Sequence, residues 1–112
     1  MMKKLMHRVR LLVDLERKQA GKDNGQRFHS VHEGYGVLLE EMMEARLEHE
    51  AATNTAGALL MAIHQNGQRR IHGLTSDLEQ QATRAAAEYI QVAAMARKMR
   101  EGLVVRQEED TP

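Results

Sequence analysis

The chain has 112 residues, no cysteine, a single proline, and sixteen Lys plus Arg balanced by sixteen Asp plus Glu. That length suits one domain with a modest core, and the absence of thiols excludes disulfides and thiolate metal sites. With zero formal net charge, two tyrosines, one phenylalanine and no tryptophan, there is no basic excess to grip a phosphate backbone and little on which bases could stack. A nucleic-acid partner is therefore not expected.

In chain order, residues 3–20 place Leu5, Met6, Val9, Leu12 and Val13 at helical spacing with basic residues between them, which predicts an amphipathic helix ending near Gly21. His7, Arg8, Arg10 and Asp14 interrupt the apolar residues, so no export signal is expected, and no later segment has the length and apolarity of a membrane span. The expected location is cytoplasmic, with no membrane partner. Lys22-Asp23-Asn24-Gly25-Gln26 reads as a surface loop.

Ser30-Val31-His32-Glu33 has the capping-box spacing, so a second helix should begin there and run to about Glu50, with Tyr35, Leu38, Leu39, Met42, Met43 and Leu47 as its apolar stripe. Gly34 and Gly36 each disfavour helix by about 1 kcal/mol relative to alanine, which points to close approach of another helix or a ligand. Thr53 to Thr55 reads as a break, followed by a third helix over residues 56–71 with Leu59, Leu60 and Ile63 as core. Ser76-Asp77-Leu78-Glu79 is a second capping box, opening an alanine-rich helix to about Gly102. The expected fold is all-α: an antiparallel bundle of about four helices in one domain over residues 1–106, with residues 107–112 as a flexible tail.

Glu41 and Glu44 are three residues apart on the second helix, with Glu40 beside them, and Glu88 and Gln91 have the same spacing on the last helix. Residues so spaced project from adjacent turns on one side. Antiparallel packing would bring the two oxygen pairs together, a donor set suited to a hard divalent ion such as magnesium. Without an ion, facing glutamates repel and raise their own pKa values. The plain alternative is a solvated acidic face.

The string Phe28-His29-Ser30-Val31-His32-Glu33-Gly34-Tyr35-Gly36-Val37-Leu38-Leu39-Glu40-Glu41-Met42-Met43-Glu44, with Glu16-Arg17-Lys18-Gln19 and Glu88-Tyr89-Ile90-Gln91-Val92-Ala93-Ala94-Met95-Ala96, resembles the MazG-like, all-α nucleoside triphosphate pyrophosphohydrolases, in particular their short phage and prophage branch. The resemblance implies a magnesium-dependent hydrolase that converts a nucleoside triphosphate, or a deoxynucleotide, to the monophosphate and pyrophosphate, and that forms a homo-oligomer, dimer or tetramer. It carries Glu41 and Glu44 onto the family's first acidic pair and Glu88 onto the first member of the second, as metal-binding and catalytic residues, with Glu40 as a helper.

Two features depart from that pattern. Gln91 stands where many family members have aspartate, offering an amide oxygen without charge. Forty-three residues separate Glu44 from Glu88, more than is usual in the family. Both features favour the alternative reading, a non-catalytic helical interaction or nucleotide-binding module.

Lys18 and Tyr35 are weaker substrate-contact candidates, the first for phosphate and the second for a base. Arg17 and Lys18 are better read as surface charge on an amphipathic helix, and Phe28 and Tyr35 as core anchors. His29 and His32 lack further ligands at zinc spacing, which favours cap or loop roles. The methionines read as core filler.

Overall fold

A computed structural model of the chain describes residues 1–103. The described residues form α1 (Met2–Asn24), α2 (Val31–His64) and α3 (Gln68–Glu101), with no strand among them. The all-α class follows the sequence, but the helices number three rather than about four. Residues 107–112, expected as a flexible tail, lie outside the described part.

Helix α1 passes Gly21 and stops at Gly25, whose φ of 88° ends the helical backbone. Its last turn is braced by Gln19 Nε2, which donates to Asp23 Oδ1 at 3.0 Å. Helix α2 starts as its capping box predicts. Ser30 Oγ accepts from the Glu33 N–H at 3.1 Å, and Glu33 Oε1 accepts from the His29 N–H at 3.4 Å.

The expected break at Thr53 to Thr55 is absent. Thr53 Oγ1 donates to the His49 carbonyl at 3.0 Å, so its hydroxyl is satisfied inside the helix and has no need of a turn. The true reversal comes at Gln65-Asn66-Gly67. Asn66 has φ 55°, its N–H donates to the Ile63 carbonyl, and the Gly67 N–H donates to the Ala62 carbonyl, each at 3.1 Å. This paired closure satisfies two of the last carbonyls of α2, and asparagine tolerates the left-handed backbone it needs. Because α3 has already begun at Gln68, Ser76-Asp77-Leu78-Glu79 falls inside a helix. A capping sequence acts only where a helix begins, so the signal has no effect there.

The chain divides into two compact units. Of the described residues, the first contains 1–42 and 89–103. Within it, Asp14 pairs with Arg97 and Arg17 with Glu101, a register in which α1 and the end of α3 run in the same direction. Val13 and Ala94 are its buried apolar residues, and Arg17 and Lys98 are buried beside them. A Cβ on Gly34 would lie 3.0 Å from Phe28 Cδ2 and 3.3 Å from Met99 Cγ, so this glycine permits a tight contact. Gly36 would meet nothing within 4 Å, so the close approach expected at both glycines occurs at one of them.

The second unit is Met43–Glu88, an antiparallel hairpin made by the rest of α2, the Asn66 turn and the start of α3. It accounts for the long stretch between Glu44 and Glu88: two extended helices where a separate third helix was expected. Its fully buried apolar residues are Ala45 and Ala62, and small side chains let paired helices approach closely.

Leu60 and Ile63, expected as core, are 58% and 50% exposed, and Leu59 is half-buried. Tyr35, Leu39, Met42, Met43 and Leu47 on α2, and Leu5, Met6 and Leu12 on α1, are likewise exposed rather than core. Helices α1 and α2 thus leave many large apolar side chains exposed. None of the described helices is long and apolar enough to cross a membrane.

Candidate functional site

The antiparallel register of the hairpin sets Glu44 and Glu48 of α2 against Glu88 and Arg84 of α3. Glu44 and Glu88 bring carboxylate oxygens within 4.8 Å of one another. One turn further along α2, Glu48 Oε2 lies 3.9 Å from Arg84 Nε. The i, i+4 steps on both helices explain the arrangement: one pair meets charge to like charge, the next charge to opposite charge.

Glu88 is the strained member. Its carboxyl is pushed above the ordinary 4.5, first by burial, then by the charge of Glu44, a hydrogen bond with the Glu44 side chain, and the charge of Glu48. Glu88 Oε2 is buried and has no hydrogen-bond partner among the described residues. Gln81 Oε1, two turns earlier on α3, is buried and unpartnered in the same way. A buried oxygen left without a donor typically costs about 1–3 kcal/mol, so such an atom invites a proton, a water or a cation. Anionic oxygen donors held close together fit a hard divalent ion, which would turn mutual repulsion into shared coordination.

The other predicted donors follow from helix register. Glu41 is half-buried one turn before Glu44 on α2, and Gln91 is half-buried one turn after Glu88 on α3. Glu40 is exposed. Tyr35 is 58% exposed.

Lys18 lines a cavity of about 300 Å³ in the first unit, together with Asp14, Arg17, Gln26, Arg97 and Glu101. The arginines there are committed. Arg17 Nε donates to Glu101 Oε1 at 2.7 Å, Arg17 Nη2 donates to the Gln26 carbonyl at 2.6 Å, and Arg97 pairs with Asp14. Arg17, read from the sequence as surface charge, is 9% exposed and ties the α1–α2 loop to the end of α3.

No family model, curated protein or solved structure matches this chain. The functional argument therefore rests on the residues. The sequence did not reveal Glu48 and Arg84 as neighbours of Glu88, because the hairpin register depends on where α2 reverses. The Asn66-Gly67 dipeptide was the available signal.

Proposed function

We propose that the protein is a magnesium-dependent nucleoside triphosphate pyrophosphohydrolase, acting on a ribo- or deoxynucleotide and releasing the monophosphate and pyrophosphate. The observation that carries this reading is the Glu44–Glu88 pair, two carboxylates held within 4.8 Å with an unpartnered buried oxygen on Glu88. It supports the sequence resemblance to MazG-like enzymes at the residues that resemblance singles out. Glu44 and Glu88 would hold the ion, with Glu41 and Gln91 one turn away as further oxygen donors and Glu40 as an outer helper.

When bound, magnesium supplies charge neutralisation to a triphosphate and lowers the pKa of a coordinated water. One glutamate of the set would orient the attacking water and take its proton as the new P–O bond forms and the bond to the leaving pyrophosphate breaks, while the others would hold the ion. Lys18 and Tyr35 are the proposed contacts to phosphate and base. The exposed apolar residues of α1 and α2 support assembly as a homodimer or tetramer, which would cover them.

The test is pyrophosphate release from a panel of ribo- and deoxynucleoside triphosphates, with and without magnesium, for the natural protein and for Glu41→Gln/Glu44→Gln. Turnover that requires both the metal and the carboxylates is expected. Metal and nucleotide binding without turnover would favour the non-catalytic module, for which the neutral Gln91 is the favouring observation.

A further inference from the structure

The first unit contains a cavity of about 370 Å³ whose lining includes His29, Ser30, Val31 and His32 at the start of α2, and Lys98 near the end of α3. Among the described residues no carboxylate lines it. Two independent features give it a positive character. One is the N-terminus of a 34-residue helix. Ser30 Oγ serves the Glu33 N–H and the Ser30 carbonyl serves the Gly34 N–H, but the N–H groups of Val31 and His32 have no acceptor among the described residues. Such open N–H groups at the positive end of a helix dipole suit an anion.

The other feature is Lys98. It is 2% exposed, yet it has no hydrogen bond or ion pair among the described residues, and its Nζ lies 4.3 Å from the centroid of the Phe28 ring. An aromatic face attracts a cation but accepts none of its three N–H donors in the way an oxyanion does. Arg17, buried in the same unit, has both a carboxylate and a carbonyl. Lys98 is thus a nearly buried side chain lining a cavity, with no acceptor for its ammonium among the described residues.

The geometry points to a phosphate-binding pocket: the cavity takes a phosphate-type oxyanion, free or as the phosphoryl end of a small molecule, held by Lys98 Nζ and the Val31 and His32 N–H groups. Phe28 holds the ammonium in place from its ring face. This site is independent of the magnesium reading, because none of its donors is a metal ligand.

The experiment uses the full chain with a chelator present. Inorganic phosphate and a nucleoside monophosphate are titrated in parallel while backbone amide shifts are followed by NMR, with chloride at matched ionic strength as control. Saturable shifts at Val31 and His32 are expected for at least one of the two ligands, and the arm that saturates first identifies the source of the phosphate. Lys98→Met keeps the apolar stem and should weaken binding roughly tenfold or more, the usual loss for a charge-assisted contact, while Lys98→Arg should retain most of it. Amide shifts no larger than those with chloride would overturn the proposal, and so would unchanged affinity in a folded Lys98→Met. Should that variant fail to fold, mapping the shifts in the natural protein decides alone. Loss of magnesium-dependent turnover in Glu44→Gln with phosphate binding intact would separate this site from the proposed catalytic one.

Discussion

The two units bury charge in opposite ways. In the unit formed by residues 1–42 and 89–103, the buried charged groups are cations, and Arg17 is answered by Glu101 and the Gln26 carbonyl. In the hairpin Met43–Glu88, the half-buried group is an anion, and its neighbours Glu44 and Glu48 carry the same sign. The Arg17 arrangement is what a chain does to hold itself together. The second leaves a charge that the hairpin does not neutralise, which is how sites that take a cation or a proton differ from structural ion pairs.

The largest expected effect falls on the hairpin. Glu88→Gln should lower magnesium-dependent turnover by about a hundredfold or more, since it removes an anionic donor from the proposed metal set. The same change should leave the apo protein as stable or more so, because it removes the repulsion from Glu44. Turnover and melting temperature moving in opposite directions would mark a functional strain, whereas a fall in both would place Glu88 among the structural ion pairs.

Arg17→Ala should behave in the contrary manner. It removes a buried guanidinium with two partners and an apolar stem, and chemical denaturation should show a loss of about 2–3 kcal/mol. An unchanged midpoint would mean that the α1–α2 loop holds without its tie to Glu101.

Local signals in the sequence were sound wherever the local chain decides the outcome. The capping box at Ser30 and Glu33 forms as read, and the three-residue spacings place Glu41 beside Glu44 and Gln91 beside Glu88 along their helices. The errors came where an element's context decides. Thr53 has the look of a breaker but is bonded back into the helix, and Ser76-Asp77-Leu78-Glu79 has no capping role because α3 begins eight residues earlier. Leu60 and Ile63 have the period of core residues, but alanine occupies the contact between the hairpin helices. Periodicity identifies a face without saying whether its partner lies in the same chain.

Glycine offers a smaller test of how tightly each unit packs internally. Gly34→Ala sets a Cβ against Phe28 and Met99 and should destabilise by about 1 kcal/mol despite the gain in helix propensity. Gly57→Ala and Gly73→Ala in the hairpin meet nothing within 4 Å and should each stabilise by about 0.5–1 kcal/mol. Thermal melts of the three variants would read the difference in sign directly, and equal signs would contradict the tight contact at Gly34.

The smallest expected effect is a pH dependence whose sign magnesium should reverse. Glu88 has its carboxyl raised above 4.5 in the folded chain by burial and by Glu44, so between the unfolded and folded pKa values the native state binds more protons than the unfolded one. Stability contributed by this group is therefore present at pH below 4.5 and is lost as pH rises through the raised value. In the apo protein, Glu88→Gln should remove that part of the decline, leaving a flatter melting profile from pH 4 to 8 than the natural chain. With magnesium the order inverts: the ion needs the ionised carboxylate, so its stabilisation should grow with pH and vanish in Glu88→Gln. A pH profile that magnesium leaves unchanged would mean that the hairpin's repulsion is relieved by water and protons alone, and the proposed metal site would lose its physical basis.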